Sequence, residues 1–78
     1  MKEKYTTKNL LSKEEYKVMV LLKKGYRNVA IAKELGIVTN TVGTYIRRIK
    51  IKLELDLEVN VYLLVQTAID YKLFNKRN

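Results

Sequence analysis

The chain has 78 residues and a formal net charge of +8, from 16 lysines and arginines against eight acids, with no cysteine, histidine or proline. A single domain of this size buries only about 60–65% of the surface its unfolded chain exposes. Without cysteine or histidine, neither disulfides nor the usual zinc ligands can supplement it, which leaves tight helix packing and a partner subunit. The charge balance favours a polyanionic partner, either nucleic acid or an anionic membrane surface.

Met1 to Leu10 is polar and basic and holds no apolar core long enough for a signal peptide. Residues 1–10 are expected to be a flexible basic arm, frayed or reaching into a minor groove. Apolar runs such as Val61 to Val65 are far too short to span a bilayer, so a cytoplasmic protein with no membrane partner is the expectation.

Ser12-Lys13-Glu14-Glu15 fits a capping box, in which the Ser12 hydroxyl and the Glu15 carboxylate each satisfy a free backbone N–H. Leu11 and Tyr16 stand at the positions of a hydrophobic staple around it. Val18, Met19, Leu21 and Leu22 form an apolar stripe, and Lys23 and Lys24 follow near the negative end of the helix dipole. The spacing predicts a helix from about Lys13 to Lys24, stopped by Gly25. A short second helix is predicted from Asn28 to Leu35, with Ile31, Ala32 and Leu35 at helical spacing and Gly36 closing it. Thr39 or Asn40 is expected to cap the third helix. Two helices joined by about four residues that include a glycine describe a helix-turn-helix.

In the third helix, about residues 39–53, Val42, Ile46, Ile49 and Leu53 share one narrow arc, with Tyr45 at its edge. Asn40, Thr44, Arg47 and Ile51 lie on the opposite arc, flanked by Arg48. This outward set carries the amide, hydroxyl and guanidinium groups that base edges and phosphates require. From Val38 to Leu53 the charges are Arg47, Arg48, Lys50 and Lys52, with no acid; from Glu54 to Asp70 they are Glu54, Asp56, Glu58 and Asp70, with no cation. A solvated face normally mixes signs, so the blocking turns one part of the surface toward an anion.

"IKIKLELDLEVNV", Ile49 to Val61, alternates apolar and polar residues as a half-buried strand does. It has no turn residue to fold it into a hairpin, and its first apolar positions continue the core arc begun at Val42. Helix is therefore expected to Leu53 and a loop from Glu54 to Glu58. The last helix, about Val59 to Phe74, carries two apolar stripes. Val61, Leu64, Val65 and Ala68 make one; Val59, Tyr62, Leu63, Ile69 and Leu73 make a broader second. A small monomer buries only one of them, which leaves the second as a dimer seam.

"LSKEEYKVMVLLKKGYRNVAIAKELGIVTNTVGTYIRRIKIKL", Leu11 to Leu53, resembles the DNA-binding domain of LuxR/GerE-type regulators. Leu11, Ser12, Glu15, Val18, Leu21, Leu22, Gly25, Asn28, Ile31, Ala32, Leu35, Ile37, Thr41, Val42, Thr44, Ile49, Lys52 and Leu53 stand where that family's pattern expects them. The resemblance implies an all-α, four-helix helix-turn-helix domain over 11–74 with a tail at 75–78. It also implies double-stranded DNA as partner, the third helix in the major groove, and a homodimer through the fourth. The resulting expectation is a sequence-specific bacterial transcriptional regulator at the nucleoid, with RNA polymerase as a further candidate partner and no cofactor or metal.

Base contacts are assigned to Asn40, Thr44, Arg47 and Arg48, and phosphate contacts to Asn28, Thr39, Thr41, Tyr45, Lys50 and Lys52. The dimer interface is assigned to Val59, Tyr62, Leu63, Gln66 and Ile69. The chain also departs from the family pattern. Lys17 and Ala30 replace glutamates, and Arg27 and Val38 replace serines that cap the second and third helices. Gly43 replaces a DNA-contacting lysine, Tyr45 a histidine and Glu54 a glycine. Gly43 either lets the helix backbone approach the groove closely or is simply a lost contact.

Two other readings share some of these features. A sigma-factor region-four-like module has the same "LGI…TV" pattern, although the distance from Leu11 to Gly25 suits the LuxR type better. A phage- or plasmid-encoded module could instead capture a host protein with its last helix and the alternating stretch. Salt separates the two classes, since phosphate binding weakens steeply with ionic strength and an apolar interface does not. An enzyme is not expected, because the one serine, Ser12, is used as a cap and no histidine or cysteine is available for acid–base or nucleophilic work. No receiver or ligand-binding domain is visible in these 78 residues, so control would come from abundance or from a partner.

Overall fold

The computed structural model describes residues 11–70. It contains α1 (Lys13–Lys23), α2 (Asn28–Leu35), α3 (Thr39–Lys52) and α4 (Val61–Asp70), with no strand among the described residues. The basic arm, the 75–78 tail, and the part of the last helix expected to run through Leu73 to Phe74 lie outside the described residues.

The start of α1 is the expected capping box. The Glu15 N–H donates to Ser12 Oγ at 3.1 Å, and the Ser12 N–H donates to Glu15 Oε1 at 3.0 Å. Leu11 packs against the core just before it.

Helices α1, α2 and α3 end in the same way. The Tyr26 and Gly25 N–H groups return to the Leu21 and Leu22 carbonyls. Ile37 and Gly36 return to Ala32 and Lys33, and Leu55 and Glu54 to Lys50 and Ile51. This paired return is the Schellman motif, which requires a left-handed residue at its hinge. Gly25 and Gly36 supply it at φ +93° and +68° without steric cost, as expected of both. At the end of α3 the hinge is Glu54, at φ +59°, in the position where the resemblance led one to expect glycine. Ile37 and Leu55, the residues after the second and third hinges, both pack against the core.

Two expected boundaries are corrected. The N-cap of α3 is Val38, with no side-chain hydrogen bond, and neither Thr39 nor Asn40 caps it. The turn is so short that Ile37 is held by the α2 terminus and only Val38 remains extended, at φ −83° and ψ 154°, so Thr39 already lies in the helix. The last helix begins at Val61, two residues later than Val59, because Asn60 caps it: Asn60 Oδ1 accepts the Leu63 N–H at 2.8 Å. The Arg27 cap of α2 likewise makes no side-chain bond, as the missing serine predicts.

The alternating stretch resolves as expected, with helix through Lys52 and a loop over 54–58. Ile49 and Leu53, one helical turn apart, are buried, whereas Ile51 between them is exposed. Leu55 is half-buried against the core and Leu57 is exposed. Alternation in the sequence therefore does not become alternation between two faces. The Asp56 side chain and carbonyl fold the loop by accepting the Glu58 and Val59 N–H groups.

The core draws on every helix: Val18, Met19, Leu21 and Leu22 from α1, Ile31 and Ala32 from α2, Val42, Ile46 and Ile49 from α3 with Leu53 at its end, and Leu64 and Ala68 from α4. Helix α3 packs against both α1 and α2, and α4 packs against α1. The predicted arc from Val42 to Leu53 is the buried one, and each such large aliphatic side chain contributes about 1.5–3 kcal/mol by leaving water.

Gly43 sits in the middle of α3, and a Cβ built there would meet nothing within 4 Å. Nothing inside the domain requires glycine at that position. Gly43→Ala is expected to stabilise the fold by about 0.5–1 kcal/mol through helix propensity alone. Urea unfolding should show this as a higher midpoint with an unchanged slope; a lower midpoint would mean that the domain does use the glycine.

Candidate nucleic-acid interface

Helix α3 turns its apolar arc into the core and leaves Thr39, Asn40, Thr44, Arg47, Arg48 and Ile51 exposed. All four residues assigned to base contacts are therefore on the surface, at successive turns of one helix. No acid lies on α3, so the field over this face is positive from Arg47 onward. The Arg48 guanidinium carbon lies 6.0 Å from the centroid of the Tyr45 ring, a cation–π arrangement that restrains a long side chain at the edge of the face. Tyr45 itself is half-buried and packs against the core.

The residues assigned to phosphate are spread over two helix starts and the end of α3. Asn28 is the first residue of α2 and half-buried; Thr39 and Thr41 lie in the first turn of α3, exposed and half-buried respectively. Because neither helix start carries a side-chain cap, backbone N–H groups there keep hydrogen-bonding capacity and the positive end of the helix dipole.

The two lysines at the other end of α3 are engaged within the domain. Lys50 Nζ donates to the Leu57 carbonyl at 3.0 Å and so ties the loop back to the helix. Lys52 Nζ lies 2.6 Å from Glu15 Oε1, and Glu15 is only 3% exposed. Reading the sequence assigned both lysines to phosphate and missed this ion pair. A signal was available: Glu15 is spaced three, four and seven residues before Val18, Met19 and Leu22, so its carboxylate faces the buried stripe and needs a cation.

On α4, Leu64 and Ala68 are buried and Val65 is packed against the core, while Tyr62, Leu63 and Ile69 are exposed, Tyr62 at 72%. Val59 and Gln66 are half-buried, and Val59 precedes the helix. The two-stripe pattern is thus present: one stripe is covered by α1 and the other is open. Val61, assigned to the inner stripe, is 40% exposed.

Among the described residues no group of potential ligands could hold a metal ion, and no helix is long and apolar enough to cross a membrane. A short α2, a glycine-hinged turn and an α3 with a buried arc opposite a cationic polar face define a helix-turn-helix domain of the kind that binds DNA. The family model for bacterial regulatory proteins of the luxR family (GerE) matches residues 9–65, and the chain belongs to that family. It thereby joins the DNA-binding regulators of transcription. Searches of curated proteins and of solved structures gave no significant match.

The Glu15–Lys52 pair generates a prediction. Removing the ammonium leaves a buried carboxylate with only the Ser12 N–H, a loss of about 1–3 kcal/mol. Lys52→Met should therefore lower the urea midpoint, and the double variant Glu15→Gln/Lys52→Met should recover part of the loss. Full stability in the single variant would show that the pair contributes nothing to the fold.

Proposed function

We propose that the chain is a sequence-specific double-stranded-DNA-binding transcriptional regulator that acts as a homodimer, with α3 in the major groove. The observation that carries this reading is the exposed, acid-free face of α3, on which Asn40, Thr44, Arg47 and Arg48 stand opposite the buried arc of Val42, Ile46 and Ile49. An amide and two guanidinium groups are the side chains that pair bidentately with adenine and guanine edges. The polar starts of α2 and α3, with Asn28, Thr39 and Thr41, would set the register on phosphates, together with Tyr45 and Lys50. Lys52 is left to the fold.

The homodimer reading rests on the open stripe of α4. Tyr62, Leu63 and Ile69 are large, exposed and adjacent on that helix, with Val59 and Gln66 at its margin. Covering them with a second copy would give a small domain the additional apolar burial its own core lacks. Two reading helices would then face DNA half-sites about one helical turn apart, roughly 10 base pairs, in an inverted repeat.

Arg47→Ala should cost about 1–3 kcal/mol at the preferred site and relax discrimination at one base pair while the fold is kept. Unchanged site preference in a binding-site selection would refute the assignment of the reading face. Wild-type affinity should also fall steeply as salt rises; a flat salt response would favour an apolar protein partner instead. For the seam, Leu63→Glu should sediment as a helical monomer and bind an inverted repeat no better than a half-site. A wild-type protein that stays monomeric at high concentration and binds both sites equally would end the dimer reading.

A further inference from the structure

We propose that Gly43 and Thr44 form a seat for the C5-methyl group of a thymine, so that this helix reads an A·T pair by apolar contact at its centre. The inference rests on the DNA reading above and goes further, to what the middle of the face recognises. Asn40, Gly43, Thr44 and Arg47 are spaced i, i+3, i+4 and i+7, which places them on one side of α3. The ends of this row are an amide and a guanidinium, and its centre carries no polar donor. Gly43 has no side chain, and the space its Cβ would fill is open to 4 Å. The Thr44 hydroxyl donates to the Asn40 carbonyl at 3.3 Å, so its proton is used on the helix's own backbone. What Thr44 offers outward is its γ-methyl group and hydroxyl lone pairs.

That combination discriminates among bases. Purine N7, guanine O6 and thymine O4 are acceptors and find no donor here, so a guanine edge pressed against this spot would lose hydration without replacement. Thymine differs because it also presents a methyl group, the only one in the major groove of unmodified DNA. The missing side chain at Gly43 leaves room for that methyl, and the Thr44 methyl gives it an apolar neighbour. This gives the helical glycine a role that packing within the domain does not supply. Cytosine and adenine, whose amines could donate to the Thr44 lone pairs, are the competing bases, and the test separates them from thymine.

The test uses a duplex that the full-length protein selects from a random-sequence pool, with each thymine replaced in turn by deoxyuridine, which lacks only the methyl group. Wild type should show one thymine per half-site whose replacement weakens binding about fourfold, the equivalent of one buried methyl group. Thr44→Ser, which keeps the hydroxyl and loses the methyl, should abolish that penalty, while Thr44→Val should preserve the ratio between the two duplexes. Gly43→Ala should weaken binding to the thymine duplex more than to the uracil duplex, even though the same change is expected to stabilise the fold. Circular dichroism of each variant controls for folding. Selection of a sequence in which no thymine methyl matters, a cytosine at the central position, or an undiminished penalty in Thr44→Ser would overturn the seat alone. A protein that selects no sequence would overturn the DNA reading as well.

Discussion

The carboxylate of Glu15 holds together parts of the chain that are 37 residues apart. One of its oxygens accepts the Ser12 N–H at the start of α1 and also meets the Lys52 ammonium at the end of α3. A single nearly buried atom thereby closes the first cap and anchors the last turn of the helix that presents the candidate reading face. A buried carboxylate is costly unless every lone pair facing the interior is used, so the pair also defines which arrangement of α1 and α3 is acceptable. Val18 and Met19 of α1 and Ile49 of α3 are fully buried in the apolar core that these helices share. Hydrophobic packing is weakly directional, whereas a charged pair of this kind specifies orientation.

The second constraint is the repeated left-handed hinge. Three consecutive helices end by the same pair of hydrogen bonds, and each hinge turns the chain sharply enough for the next segment to lie back on the core. After α2 the turn is so brief that α3 starts without a side-chain cap, which leaves its first N–H groups available outside. After α3 the hinge is Glu54, where a left-handed backbone costs a non-glycine residue about 1–2 kcal/mol. The contacts of Leu55 with the core and of Lys50 with the Leu57 carbonyl hold that loop in place. The acids Glu54, Asp56 and Glu58 consequently lie in the loop beyond the end of α3, and none of them interrupts the helix that carries Arg47 and Arg48.

Much of this could be read from residue order, because the relevant signals are local. The capping box, the glycine stops, the period of the Val42–Leu53 arc and the two stripes of α4 each depend on neighbours within a turn or two, and short-range hydrogen bonds and helical spacing decide them. The family pattern from Leu11 to Leu53 lies within the matched residues 9–65 for the same reason. The polar outward set on α3 also needed no tertiary information, since burying one arc of a helix exposes the other.

The tertiary structure decided what long-range geometry controls. Lys52 belongs to Glu15 because folding brings the end of α3 beside the start of α1, and no spacing rule connects positions so far apart in sequence. Lys50 donates to a loop carbonyl, a contact that exists only once the loop after Leu53 has folded back. The N-cap of α3 fell on Val38 because the α2 terminus uses Ile37, which outweighs the intrinsic capping preference of Thr39 or Asn40. Alternation from Ile49 to Val61 matched a strand as well as a helix. The arc begun at Val42 already favoured the helix, and packing against α1 and α2 realises it, because there Ile49 and Leu53 complete the core with Val42 and Ile46.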